Sequence, residues 1–192
     1  QSGVIDMSVT DAGVASIGPY VSGGSTLELK TNASGSGVAT RLSISKEGYV
    51  TKPAHPSFYV RRSTGGDGRS AQNPVTEWAN PGTSESSGNP VHNRGGHFNY
   101  STGLFTAPVN GIYHFSAAAG YKQSSIGFNQ KFVLNGGEMA EGVRFINALD
   151  SHSTATISAT CYMAANTTMG VKIESTHHVN TTLNFFSGHL VA

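Results

Sequence analysis

The chain has 192 residues, enough for one well-cored domain plus an extension, and its 12 Lys and Arg against 11 Asp and Glu give a formal net charge of +1. Only 12% of residues are charged, which favours neither nucleic acid nor an anionic membrane as a partner. The 24 glycines, with many Ser, Thr and Asn residues, suit short strands alternating with turns, while 37% hydrophobic content and repeated aromatics argue against disorder. From Gln1 to about Val50 the pattern is short runs with apolar residues two apart: Val4 to Val9, Gly13 to Ile17, Thr26 to Lys30 and Arg41 to Ile44. None is long enough to bury a core alone, and such strands become stable when neighbouring chains supply the other walls. Pro53 and Pro56 then mark a passage, since neither can donate to a central ladder.

Phe58-Tyr59-Val60 begins the next strand. Arg61 to Gly96 is rich in Gly, Ser, Asn and Pro, with Pro74 to Trp78 as its one strand-like island. A connection this long is uncommon inside a compact domain unless it has a job, so it is the expected specificity loop. Gly103 to Pro108 reads as a short strand, Val109-Asn110-Gly111 as a tight turn and Ile112 to Phe115 as the returning strand of a hairpin. Ile112 and His114 fall on one face of that strand, and Tyr113 and Phe115 on the face that points into a core. Lys131 to Leu134 precede Asn135-Gly136, a strong hairpin signal. Glu138 to Leu149 fits a helix face or strand alternation. Ala155 to Met163, Gly170 to Ile173 and Leu183 to Leu190 complete the strands. Cys161, the sole cysteine, cannot form an internal disulfide and reads as a small buried hydrophobe.

The order Asn93, Phe98, Phe105, then Gly111-x-Tyr113-x-Phe115 resembles the signature of the globular head of complement C1q, a jelly roll shared with the tumour necrosis factor family. The chain also ends Phe186-Ser187-Gly188-His189-Leu190, similar to that family's last strand. The resemblance covers roughly residues 55 to 192. It departs from the pattern at Ala117, where a further aromatic is common, at Ser87, where Phe is expected, and at His189, where an apolar residue is common. Tyr162 to Ile173 resembles the family's paired strands around a turn, with Asn166-Thr167 in place of the frequent Gly-Asp. Leu42 to Val50 resembles, more loosely, the repeat that ends many phage tail-fibre shafts, with an ordinary β-rich linker as the other reading. The implied fold is all-β, with a β-structured stalk over residues 1–52 and a complement-head-like jelly roll over residues 53–192, closed around a three-fold axis as a homotrimer.

Little points to chemistry. The histidine pairs His177-His178 and His92/His97 lack zinc-ligand spacing within one chain, although His114, His152 or His189 would supply three ligands on a three-fold axis. Calcium is the one cation the resemblance raises. Asp67, Asp150 and Glu174 are its candidate ligands, each also readable as a solvated carboxylate, and neither a metal nor another cofactor is assigned. No Gly-x-Ser-x-Gly elbow occurs, the carboxylates of the first fifty residues are scattered, and Gly65 to Gly68 lacks the Lys of a phosphate loop, so no catalytic residue is assigned. For sugar binding, Trp78 and Tyr121 offer aromatic faces and Glu77 and Asn80 polar groups, with a Trp78 buried at a subunit interface as the alternative.

The expected role is a phage tail-fibre or virion appendage that attaches to a bacterial surface glycan or outer-membrane receptor, joins other tail proteins on its N-terminal side and binds no nucleic acid. A structural fibre or trimerisation module, and a secreted lectin-like head, are the alternatives. No apolar run reaches the length of a membrane span and no basic-then-apolar leader opens the chain. An extracellular or virion location therefore implies a leader already cleaved or release by cell lysis.

Overall fold

The computed structural model describes residues 5–9, 15–19, 26–33, 37–63, 66–79, 91–122, 128–139, 144–146, 152–174, 177–179 and 184–192. The chain divides into two compact units, Gln1–Ala54 and His55–Ala192.

In the first unit β1 (Ile5–Val9) and β2 (Ala15–Pro19) pair antiparallel. A second sheet holds β3 (Leu27–Ala33), β4 (Gly37–Ile44) and β5 (Val50–Thr51). The turn from β4 to β5 is built around Ser45, whose Oγ accepts from the backbone N–H of Glu47 and Tyr49 and donates to Glu47 Oε2 at 2.9 Å. Gly48, at φ 86°, takes the left-handed position that lets its N–H donate to Ser45 O. Ser45, Glu47 and Gly48 are thus turn chemistry.

The second unit contains β6 (Ser57–Arg61), β7 (Gly66–Arg69), β8 (His92–Arg94), β9 (Phe98–Asn99), β10 (Leu104–Thr106), β11 (Gly111–Lys122), β12 (Phe128–Leu134), β13 (Gly137–Glu138), β14 (Arg144–Ile146), β15 (His152–Met163), β16 (Thr168–Ile173), β17 (His177–Val179) and β18 (Phe185–Leu190). One sheet runs β15-β11-β18-β6-β8 and the other β13-β12-β16-β10-β9 with β14 beside β12; β17 pairs with β7. The described residues contain no helix. Of Glu138 to Leu149, Glu138 and residues 144–146 are strand and Met139 is not, while the remaining residues lie outside the described ones.

Alternation along the strands sends one set of side chains into the space between the two sheets. Phe58, Tyr113, Phe115 and Phe186 enter from the five-stranded sheet, and Phe98, Phe105, Met169 and Val171 from the other. Phe58 is the hub, with ring centroids 4.8 Å from Phe98, 5.2 Å from Phe105 and 4.8 Å from Phe186. The motif aromatics of the sequence are therefore the core of a jelly-roll sandwich. Cys161, opposite Tyr113 on β15, is half-buried against this core.

Two expected pairings are corrected. β10 and β11 do not form a hairpin: β10 pairs with β9 and β16, whereas β11 pairs with β15 and β18 in the other sheet. The chain crosses the sandwich at residues 107–110, so Phe105 and Phe115 approach from opposite sheets with centroids 5.6 Å apart instead of lying side by side on one. Tyr113 fastens this arch by donating its hydroxyl to Val109 O at 2.9 Å. Likewise β15 and β16 lie in different sheets, and residues 164–167 form a second arch with Asn166 at φ 68°. The arches bond to each other: Ala107 N donates to Thr167 O, Asn166 N to Ala107 O, and Ala165 N to Asn110 Oδ1. Asn135-Gly136 does close a hairpin, with φ of 49° and 85° pairing Leu134 with Gly137.

Candidate functional site

The first half of the expected specificity loop is stitched to both sheets. β10 reaches only as far as Met169 along β16, and beyond it Gln72 pairs with Ile173 while Val75 N donates to Val171 O. At the other end Arg62 bridges to Trp78, Ser63 N donates to Glu77 O and Ala79 N to Arg61 O. These bonds satisfy backbone groups that a bare loop across the sandwich edge would leave unpaired. Residues 80–90 lie outside the described residues.

Of the residues expected to bind a sugar, Trp78 has its ring in the core. It is 6% exposed, its Nε1 donates to Val75 O at 2.8 Å, and it packs edge-on to Phe98 and at a tilt to Phe186. Burial thus holds within the subunit itself, and the ring is enclosed by its own chain. Glu77 is 39% exposed at its side chain and takes a positive φ of 63°. Its carboxylate accepts from Arg62 Nη2 at 2.9 Å, while Arg62 Nη1 donates to Gln72 Oε1 at 2.8 Å. The Arg62 guanidinium is buried and lies 5.7 Å from the Trp78 ring centre. Arg62 was not legible as part of this group, because the three residues that meet its fork come from a later stretch with no periodic relation to β6. Asn80 lies outside the described residues, and Tyr121 lies on β11 opposite Ser153.

The outer face of the five-stranded sheet carries a different set. Tyr59 and Phe185 stack with centroids 5.4 Å apart, Ser116 and Ser187 pair beside them, and Tyr162 is 59% exposed. His114 and His189 are direct cross-strand neighbours with ring centres 5.6 Å apart. His189 is held below the ordinary imidazole range, first by desolvation and then by His114 and His55.

Among the described residues no group of three or more His, Cys, Asp and Glu is gathered as metal ligands. Glu174 accepts from Lys172 Nζ at 2.9 Å, and Lys172 also pairs with Glu138. Asp150 lies outside the described residues and Asp67 lies on β7. His97 sits edge-on to Phe105, and burial pushes its pKa down. Asn93 clamps Phe98, its Oδ1 accepting from Phe98 N and its Nδ2 donating to Phe98 O. This fixes the aromatic at the sandwich edge and gives the Asn93 to Phe98 spacing a physical cause.

No curated protein matches the chain in sequence. Among solved structures the fold is similar to that of murine APRIL, with a TM-score of 0.52 at 10% identity, over 71% of this chain and 99% of that one. The C1q domain family model matches residues 87–191, more than half of the chain. The two-sheet sandwich and its aromatic signature agree with that match, and the chain belongs to the C1q domain family.

Proposed function

We propose that the chain is the receptor-binding end of a homotrimeric fibre on a bacteriophage particle, with His55–Ala192 as the head and Gln1–Ala54 as part of a β-structured stalk. The observation that carries this reading is the apolar surface of the short-strand unit, where Leu29, Tyr49 and Val50 are 58%, 71% and 60% exposed. Two small sheets of this kind gain little from their own burial, and copies wound about a common axis cover such residues. The head attaches to a bacterial surface glycan or outer-membrane receptor, and other virion proteins join on the N-terminal side. Glu77, Asn80 and Tyr121 contribute contacts to the receptor, with Trp78 bracing the segment from behind. Three heads on one stalk raise effective affinity through linked sites without tight single contacts.

The test mixes the labelled chain with a panel of bacterial cells before and after periodate oxidation of their glycans, with its mass in solution measured alongside. Saturable, periodate-sensitive binding by a trimer that Glu77→Ala weakens and Trp78→Phe leaves intact is the expected result. A trimer that binds no cell in a panel containing its host points to a structural fibre module. A monomer sinks the three-fold arrangement altogether.

A further inference from the structure

The ladders of the first unit sort their rows by polarity. In the sheet of β3, β4 and β5 the register sets Leu27, Ile44 and Val50 in one cross-strand row, and Leu29 and Leu42 in the next row of the same face. The row between them holds Glu28, Ser43 and Thr51, so the opposite face is polar. That polar face is satisfied within the sheet, since Glu28 pairs with Lys30 at 2.7 Å and accepts from Thr40 Oγ1 at 3.1 Å. The apolar face is not covered in the same way, and Leu29 and Val50 stay 58% and 60% exposed. The β1–β2 ladder repeats the division, setting Ile5, Met7 and Val9 opposite Pro19, Ile17 and Ala15, with Asp6 opposite Gly18 and Ser8 opposite Ser16.

Charge and chain length say what covers such a face. Over residues 26–51, Lys30, Arg41 and Lys46 stand against Glu28 and Glu47, a mixture without the cationic excess that draws an anionic lipid surface. Residues 52–56, the chain between β5 and β6, reach about 18 Å at most, so a trimer of heads tethers three such sheets close to one another. Sheets packed face to face lie about 10 Å apart, within that reach. Three like faces turned to one rotation axis cover each other and leave no apolar surface to recruit a fourth copy.

We propose that the face of β3, β4 and β5 carrying Leu27, Leu29, Leu42, Ile44 and Val50 is the contact surface for two further copies of this chain. Three such sheets turn these residues to a common axis and keep Glu28, Ser43 and Thr51 in water. This assignment rests on the three-fold reading of the head and adds which side of the stalk sheet is its interior. A three-stranded sheet with one bare face gains little from its own burial, so the strands of residues 26–51 owe their order to assembly.

The test measures the mass of the full chain in solution together with amide hydrogen exchange over residues 26–51. Expected is a trimer in which Leu29→Asp and Val50→Asp each speed that exchange by about 10-fold or more while Thr51→Asp, on the polar face, leaves it as in the parent. All three variants keep the trimer mass, because the heads still associate. A second measurement does not depend on the sheet tolerating a charge: in a Cys161→Ala background, a short bismaleimide joins Leu29→Cys chains to one another and does not join Thr51→Cys chains. A trimer whose exchange is unmoved by Leu29→Asp, or whose Thr51→Cys chains cross-link in place of Leu29→Cys chains, overturns this assignment and leaves the three-fold head standing. A monomer overturns both. Sedimentation of the parent with neutral phosphatidylcholine vesicles, abolished by Leu29→Asp, gives the face to lipid and overturns the assignment to further copies.

Discussion

Phe115 and Gly188 face each other across the β11–β18 ladder, and the Phe115 ring fills the place where a side chain on residue 188 would project. Phe58 Cε1 closes the other side, 2.8 Å from where the added carbon would sit. The Phe-Ser-Gly ending therefore encodes packing: Phe186 and Gly188 point inward on one strand, the first filling the core and the second making room for rings from β11 and β6. Gly188→Ala is expected to destabilise the head by about 1 to 3 kcal/mol through overpacking. Urea unfolding of the variant measures it, and an unchanged midpoint would show that the rings shift freely.

One side chain joins the two arches beside their two backbone bonds. Asn110 Oδ1 accepts from Ala165 N at 2.7 Å, joining the β10–β11 crossing to the β15–β16 crossing. Asn110→Ala is expected to cost about 0.5 to 1.5 kcal/mol, the net worth of one such bond, with Asn110→Asp retaining most of it because the carboxylate still accepts. Equal loss in both variants would assign the role of Asn110 to the turn backbone instead of the bond.

Core membership was written plainly in the sequence, while sheet membership was not. Tyr113 and Phe115 stand two apart in a strand, and period two sends them to one face whichever strands stand beside them. The same local pattern cannot tell a hairpin from an arch, because both need a turn rich in Pro, Asn and Gly. Which of them forms is decided by Phe105 and Phe115 meeting across the core, a contact between two sheets. Asn135-Gly136 was legible because a type I′ turn fixes its own strands locally. Trp78 was ambiguous for a similar reason: its flanking Pro, Thr, Glu and Asn residues look like surface, and only the distant Arg62, Phe98 and Phe186 make its ring a core group.

Arg62 ties that segment down. Its side chain is 1% exposed, and its fork spans Gln72 and Glu77 while the guanidinium lies beside the Trp78 ring. A lysine is a point charge and cannot hold both acceptors in the same plane, so Arg62→Lys and Arg62→Ala should both loosen residues 72–78. Arg62→Ala is expected to cost about 1.5 to 3 kcal/mol, the scale for hydrogen bonds to a charged group. Glu77→Gln, which keeps an acceptor at the more exposed end, should cost less. The fluorescence of the sole tryptophan reports the event directly, shifting to longer wavelength as Trp78 gains water. An emission unchanged in Arg62→Ala would mean that Trp78 is held by Val75 and the aromatics alone.

Acid should weaken the head before any carboxylate titrates. His97 and His189 both lie below the ordinary imidazole value of 6.5, His97 through burial and His189 through desolvation followed by His114 and His55. A histidine whose folded pKa is depressed takes up its proton more readily in the unfolded chain. In the window between the folded value and 6.5 the unfolded state therefore binds more protons, and stability rises with pH. The contribution is complete above 6.5 and is lost as pH falls through that value toward the folded pKa. Urea midpoints taken at about pH 7.5 and about pH 5.5, a range above the usual carboxylate values, should differ in the parent and differ less in His97→Gln and least in the double variant with His189→Gln. A parent midpoint that stays level across this range would show that neither imidazole loses its neutral form on these terms.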